Sequence, residues 1–319
     1  MIYLYENDKF FLDYLIKYVN LWKLQNKDKE IIKQDWQKIV NKIKEGKAHE
    51  LSEGDTFYLG ACRKGHLEKP REYSCGDIPA KQRAFSFKTK FMKTIIDELQ
   101  ESETLIKDID ELKTKSFEEI VYNKFREFLG LNTTEIESKL GVELNKSKNY
   151  YEALARRMMG ITSKKIEEFE KADVKLKIIR LKHNGRPKED MSFPAFKYIE
   201  VAKQNWEESD FCGQLETKFF FIVYQMNKDE SEIIFKKAFF WNMPTKDIAE
   251  AEKVWLKSKD LINKNIYDSF PKKSENDVSH VRPHARNKED TYEGLDGKQY
   301  TKKCFWLNAQ YIQKQIEEN

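Results

Sequence analysis

The sequence predicts an α/β fold, and three observations carry that expectation. Between residues 91 and 160 apolar residues recur at helical spacing, and from Asp173 the pattern changes to period two. Two later segments, Glu216 to Met226 and Ile233 to Trp241, are apolar runs of strand length, the first apolar enough to be central. Hydrophobic residues make up 39% of the 319 and aromatics 13%, enough to bury a core in one large domain or two modest ones.

The elements follow in order. Met1 to Tyr5 reads as the end of a strand and Phe10 to Leu24 as a helix. Asp28 to Gly46 reads as a second helix, with Ile31, Ile32, Trp36, Ile39, Val40 and Ile43 on one face and Gly46 as its stop. From Ser52 to Lys88, Gly54, Gly60, Gly65, Pro70, Gly76 and Pro79 punctuate a polar stretch expected to be loop. Arg63, Lys64, Lys69, Arg71, Lys81, Arg83, Lys88 and Lys90 interleave there with Phe57, Tyr58, Phe85 and Phe87. That mixture suits a grip on a nucleic-acid backbone, and it suits equally an ordered connection packed on the main domain.

Helical periodicity then covers Phe91 to Gln100, Phe117 to Gly130, Thr134 to Gly141 and Tyr150 to Gly160, and Ser116 before Glu119 has the spacing of a capping box. A strand from Asp173 to Leu181 leads to Asn184-Gly185, a hairpin-turn signal. After the two apolar strands come a helix from Pro244 to Lys264, strands at Ser279 to Pro283 and Gln299 to Trp306, and a last helix from Asn308 to Glu318. The organisation expected is a helical and loop-rich segment over residues 1–110 and a main domain over residues 111–319.

Composition narrows the function classes. Lys plus Arg exceed Asp plus Glu by only 58 to 54, so a nucleic-acid surface requires local segregation of charge. Cys62, Cys75, Cys212 and Cys304 show no CxxC spacing, which favours reduced thiols. No apolar run approaches the ~20 residues of a membrane span and no signal-peptide pattern opens the chain, so a cytoplasmic protein without a membrane partner is expected. Walker, dinucleotide and GxSxG motifs are absent. Trp206, Trp241 and Trp255 read as core anchors.

The stretch from Ser279 to Phe305 concentrates groups suited to phosphates and base edges. Between Ser279 and Lys288 stand two Arg, one Lys and two His with no acid, and Pro283 stiffens the backbone directly after Arg282. A guanidinium on such a hinge suits bidentate recognition of guanine. His280 and His284, four apart on an extended segment, do not converge on one metal.

His280-Val281-Arg282-Pro283-His284 and Tyr300-Thr301-Lys302-Lys303-Cys304-Phe305 resemble the DNA-reading end of the MutH and Sau3AI family of GATC-specific endonucleases. The resemblance continues through IIKQDWQKIVNKIKEGKAHELSEGDTFYL, IPAKQRAFSFK, KEDMSFPAF and FWLNAQYIQKQI, and is closest to the second half of the Sau3AI-type enzyme. It implies a MutH-like fold, a mixed central sheet flanked by helices, with a helical and irregular N-terminal extension. It also implies double-stranded DNA containing GATC as partner, with His280, Arg282, Pro283, His284, Arg286, Tyr300, Lys302 and Lys303 at the contact. Tyr300 matches a position beside the adenine whose methylation is sensed.

Nucleases of this family hold Mg²⁺ with a D-(x)n-E-x-K pattern, in which carboxylates bind the metal and Lys orients water. Aligning EEFEKADVKLK with that pattern puts Glu168 at the Asp position, Lys175 at the Glu position and Lys177 at the Lys position. Arg156 falls at an upstream Glu. An ammonium at Lys175, beside Lys177 on one strand face, repels a divalent cation, so no metal site is expected. The stretch Lys175 to Lys188 carries six Lys or Arg and no acid, and Lys175, Lys177, Arg180 and Lys182 are expected to attract phosphates. Asp210, Glu216 and Lys218 form a second, weaker D-(x)n-E-x-K match.

The expected function is therefore GATC binding as the recognition or allosteric part of a type II restriction endonuclease, with no cofactor for binding and with Mg²⁺ only if cleavage is present. A catalytic MutH-like domain or subunit would be its partner. The alternatives are an active Mg²⁺-dependent endonuclease, and a scaffold pairing with a catalytic protein through the helices from Phe10 to Ile43.

Overall fold

The strand Phe219–Met226 is buried along its length except at Gln225, because layers of structure cover both of its faces. In the computed structural model, which describes residues 2–3, 10, 13, 16–18, 24–64, 71–73, 76–96 and 102–319, this strand lies between Ile233–Trp241 and Lys175–Leu181. The first neighbour is antiparallel and the second parallel, so the sheet is mixed as expected. Phe219, Phe221 and Val223 pack on one side with Val254 and Trp255 of the helix Thr245–Asn263. Phe220, Ile222 and Tyr224 pack on the other with Val121 of Phe117–Asn123 and Leu154 of Tyr150–Met158.

A second, antiparallel sheet has Lys303–Leu307 between Met191–Phe196 and Ser279–Pro283. Phe193, Val281, Phe305 and Leu307 from its inner face enter the cluster built on Phe219 and Phe221. The helix Ala309–Glu318 closes this side, with the Gln315 side-chain Oε1 accepting the Trp241 indole N–H at 3.0 Å.

Local signals in the sequence are realised where one turn of chain suffices to satisfy them. Ser116 Oγ accepts the Glu119 N–H while the Glu119 carboxylate accepts the Ser116 N–H, and Asn132 and Glu135 cap Thr133–Leu140 in the same reciprocal way. The Asn184-Gly185 turn forms with Gly185 at φ +78° and the Lys182 N–H bonded to the Arg186 carbonyl at 2.8 Å. Long-range pairing then departs from expectation. After Lys188 the chain leaves this hairpin, and Met191–Phe196 joins the second sheet.

The single strand expected over Gln299 to Trp306 is two: Gln299–Thr301 pairs with Thr291–Glu293, and Lys303–Leu307 pairs with Ser279–Pro283. The break falls at Lys302, whose N–H and carbonyl serve different partners, Asp290 and His284. The expected loop from Ser52 to Lys88 contains an antiparallel ribbon, Leu59–Arg63 with Arg83–Phe87, and the short pair Arg71–Tyr73 with Gly76–Ala80. Where a helix was expected from Phe10 to Leu24, Ile16–Tyr18 is a strand against Ile2–Tyr3, and much of that stretch lies outside the described residues. Of the helix expected from Phe91 to Gln100, Thr89–Ile96 is described.

Helix Asn26–Lys44 shows how the first hundred residues are held. Its buried stripe is Asp28, Ile31, Asp35 and Ile39, and Trp36, expected on the apolar face, is 45% exposed. Asp35 accepts the backbone N–H groups of Phe57, Tyr58 and Leu59 at 2.8, 2.6 and 2.9 Å, which fixes the chain entering the ribbon. Asp28 takes the Lys171 ammonium at 2.8 and 2.9 Å, and Glu167 takes both Lys171 and Lys27. Ile31, Phe57, Tyr58, Phe91 and Leu105 share one buried cluster with Phe117, Phe169, Phe220 and Phe240. The boundary expected at 110/111 thus runs through a common core. No helix among the described residues is long and apolar enough to cross a membrane.

Replacing Asp35 by Ala leaves three N–H donors without their acceptor, and a buried unsatisfied donor costs about 1–3 kcal/mol. Asp35→Ala is expected to lower unfolding free energy by roughly 3 kcal/mol in urea titration. A change under about 1 kcal/mol would show that water or a rearranged loop replaces the carboxylate.

Candidate nucleic-acid interface

The second sheet puts the two motif segments side by side, with Arg282 opposite Cys304 and His280 opposite Trp306. Strand alternation sends Val281, Phe305 and Leu307 into the core and leaves His280, Arg282 and Trp306 on the outer face. The Arg282 guanidinium carbon lies 3.7 Å from the centre of the Trp306 ring, and its Nη1 is 3.4 Å from Asp190 Oδ2. Arg282, Pro283, His284 and Arg286 are exposed. His284 meets the Trp306 ring edge to face at 5.4 Å.

His280, expected at the contact, is buried, with Nδ1 2.6 Å from Asn308 Oδ1 and Nε2 3.9 Å from Asp190. Burial lowers its pKa, although Asn308 and Asp190 oppose the shift. His280, although on the outer side of the sheet, is thus covered from solvent and held by Asn308 and Asp190. Tyr300 stacks on Tyr267 at 3.9 Å and donates to Asp296 at 2.7 Å, a bond that pushes its phenol up to about 12. Lys302 pairs with Asp290 at 2.5 Å above the Tyr292 ring. Lys303 lies half-buried over Phe270, with its pKa lowered by burial.

Trp306 and Asp190 are the two residues that sequence reasoning missed. Their signal was weak, because a Trp beside Phe305 reads as core until the register with His280 is known. Asp190 receives Lys273, Arg282, His280 and the Ala309 N–H, the last at 2.6 Å. It also lines a cleft of about 190 Å³ with Lys177, Lys188 and Ser192.

The family's nuclease positions do not converge on a metal. Glu168 is fully buried at the start of the helix Glu167–Ala172. Its Oε2 accepts the Leu105 N–H at 2.8 Å, and Oε1 accepts Thr104 Oγ1 at 2.6 Å and the Ile106 N–H at 3.1 Å. Lys175 is exposed and pairs with Asp173 at 2.7 Å. Lys177 shares that face, and its pKa is lowered by burial and then by Lys175. Arg156 pairs with Glu152 one turn away on its own helix.

The four cations expected as one phosphate-binding group divide between two faces. Lys175 and Lys177 lie with Ile179 and Leu181, whereas Arg180 and Lys182 have the opposite parity. Arg180 lies over the Tyr151 ring at 5.7 Å and pairs with Glu189 at 3.1 Å.

The second D-(x)n-E-x-K match also falls apart in space. Asp210 is exposed at the start of its helix, 3.4 Å from the Gln204 amide. The Glu216 carboxylate pairs with Arg63, and burial nevertheless raises its pKa. Lys218 is 2% exposed, 4.7 Å from the Phe57 ring and 3.5 Å from Glu118. Burial lowers its pKa to about 8. Among the described residues no three His, Cys, Asp or Glu are placed to hold a metal ion.

A larger cleft, about 1040 Å³, lies between the ribbon and the main domain, lined among others by Arg63, Lys64, Lys88, Lys90, Glu207 and Glu216. Arg63 reaches Glu216 across it and Lys81 reaches Glu207 at 3.1 Å. Arg83 donates to the Ala61 and Leu51 carbonyls, and Lys88 to those of Glu53 and Thr56. These cations tie the ribbon down, which favours the packed connection over the grip on a backbone.

Comparison with known proteins adds two findings. The family described as "DNA mismatch repair enzyme MutH" matches residues 158–254, a span that includes both D-(x)n-E-x-K matches. The type II restriction enzyme Sau3AI of Staphylococcus aureus is 33% identical over 368 aligned positions. That alignment covers 96% of this chain and 74% of the enzyme, so it extends beyond either half of it.

Lys218 yields a prediction about pH. A lysine whose folded pKa is about 8 against an ordinary 10.5 disfavours the fold while charged, and the penalty is relieved as pH rises between those values. The stability of the wild type relative to Lys218→Met is expected to rise across that window. A flat difference would mean that Glu118 neutralises the ammonium fully.

Proposed function

Because the chain belongs to the MutH and Sau3AI family of restriction endonucleases, we propose that it binds double-stranded DNA at GATC as the recognition or allosteric part of a type II restriction system. In this reading it acts in the cytoplasm and leaves strand cleavage to a catalytic MutH-like domain or subunit. The observation that carries the proposal is the state of Glu168 and Lys175. Mg²⁺ requires several oxygen ligands at short range. The Glu168 oxygens are engaged by Thr104, Leu105 and Ile106, and the second carboxylate position holds an ammonium. The residues at these positions do not fit Mg²⁺.

The same substitution favours phosphate. Lys175 and Lys177 project from one strand face, and the cleft at Lys177 is also lined by Asp190, whose Oδ2 is 3.4 Å from the exposed Arg282. Arg282 supplies a planar set of donors matched to guanine O6 and N7. Lys302, on the flank, supplies charge without base discrimination. The decisive experiment incubates the chain with Mg²⁺ and unmethylated GATC duplex and follows binding and strand scission together. Binding without scission supports the proposal, and nicking or double-strand cleavage overturns it.

Arg282→Ala is expected to weaken GATC binding by about 1–3 kcal/mol and to flatten discrimination among sites. Lys302→Ala is expected to weaken GATC and random duplex alike. An equal loss on both duplexes for Arg282→Ala would remove the base-reading assignment.

Lys175→Glu tests the strand face directly. It removes an attraction for phosphate, adds a repulsion, and sets a second carboxylate beside Asp173. DNA affinity in EDTA is expected to fall, and the dependence on salt to become shallower because fewer counterions are released. Equal affinities and equal salt slopes would mean that this face does not meet DNA.

A further inference from the structure

We infer that Trp306 and Asp190 are positioning residues that hold Arg282 ready for a guanine edge and so set the sequence discrimination of the site. The inference rests on the proposal that Arg282 contacts DNA, and it concerns what gives that contact its specificity. An arginine on an exposed strand explores many rotamers, and fixing one of them on binding reduces affinity. Here the guanidinium carbon lies 3.7 Å from the Trp306 ring centre, within the range of a cation–π stack. Asp190 engages Nη1 alone at 3.4 Å. Nε and Nη2 have no protein acceptor among the described residues, which leaves a pair of donors for O6 and N7 of a guanine.

The support beneath this arginine is itself constrained. Trp306 sits on the middle strand of its sheet, between Ser192 and His280. The His280 ring lies nearly parallel to it at 6.3 Å, and His284 meets it at its edge. The Trp306 indole N–H is buried and has no acceptor among the described residues, so within them the ring is held by packing. An unsatisfied donor is unfavourable in a core, and Phe would fill an apolar interior without it. What Trp adds is the larger π face under the cation. Asp190 fixes the direction of the guanidinium while Lys273, His280 and the Ala309 N–H fix Asp190.

The test measures equilibrium binding of the wild-type chain, Trp306→Leu, Trp306→Phe, Asp190→Asn and Arg282→Ala to a GATC duplex and to a scrambled duplex at one salt concentration. The quantity read is the ratio of the two affinities. Trp306→Leu is expected to lower that ratio roughly three- to thirtyfold with little change on the scrambled duplex, the range set by a partly desolvated cation–π contact. Trp306→Phe is expected to restore most of it, and Asp190→Asn to lower it in the same sense.

A folded Trp306→Leu that keeps the wild-type ratio, or that loses both affinities equally, overturns the inference. If Trp306→Leu does not fold, Trp306→Phe and Asp190→Asn decide: a wild-type ratio in Asp190→Asn overturns it, and a lowered one with Trp306→Phe near wild type supports it. A wild type without GATC preference overturns the inference together with the proposed function. A wild type whose preference Arg282→Ala abolishes, with unchanged ratios in the other variants, overturns the inference alone.

Discussion

Burial of the strand Phe219–Met226 on both faces is the constraint from which the rest of the architecture follows. A strand that is apolar on alternate residues needs one covering layer, and this one needs two. On one side the cover consists of helices together with the first hundred residues, through Ile31, Phe57, Tyr58 and Phe91. On the other it consists of the helix Thr245–Asn263 and the second sheet. The inner face of that second sheet is fixed by Phe193, Val281, Phe305 and Leu307, and by alternation its outer face carries Arg282 and Trp306. The surface assigned to DNA is thus the reverse side of a core contact.

Charge is used in two ways, and burial distinguishes them. In the interior, acids and bases serve to fasten segments: Asp35 to residues 57–59, Asp28 and Glu167 to Lys171, Glu168 to residues 104–106. These groups have lost their water, so each must keep its partner. On the outer side of the second sheet Arg282 keeps solvent and has a weaker engagement, a single 3.4 Å approach to Asp190. A chain with 58 basic and 54 acidic residues thus divides its charges between buried groups that fasten segments and exposed groups that keep their water.

How far the sequence could be read depends on how far apart in the chain the interacting residues lie. The central strand, the capping boxes at Ser116 and Asn132, the turn at Gly185 and the helix from Pro244 were legible because their causes are local. The parity of Lys175 and Lys177 against Arg180 and Lys182 was legible too, although it was passed over in grouping all four. What was not legible depended on partners far off in sequence. The split at Lys302 needs Asp290 and His284, the exposure of Trp36 needs Asp35 turned toward the ribbon, and burial of His280 needs Asn308. In the candidate site the motif residues could be named from the chain, but the aromatic floor under Arg282 required the strand register.

The engagement of Glu168 has a bearing on the history of such a protein. In the proposed reading, its carboxylate has become a peg for residues 104–106, and this attachment helps to join the N-terminal hundred residues to the main domain. A mutation returning an acid to position 175 would find the neighbouring acid unable to turn toward a metal without releasing three hydrogen bonds. An acid at position 175 would therefore need a compensating change around residues 104–106 before Glu168 could face the same ion. In the proposed reading, the bonds that fasten residues 104–106 to the main domain are thus the same bonds that keep Glu168 from a metal.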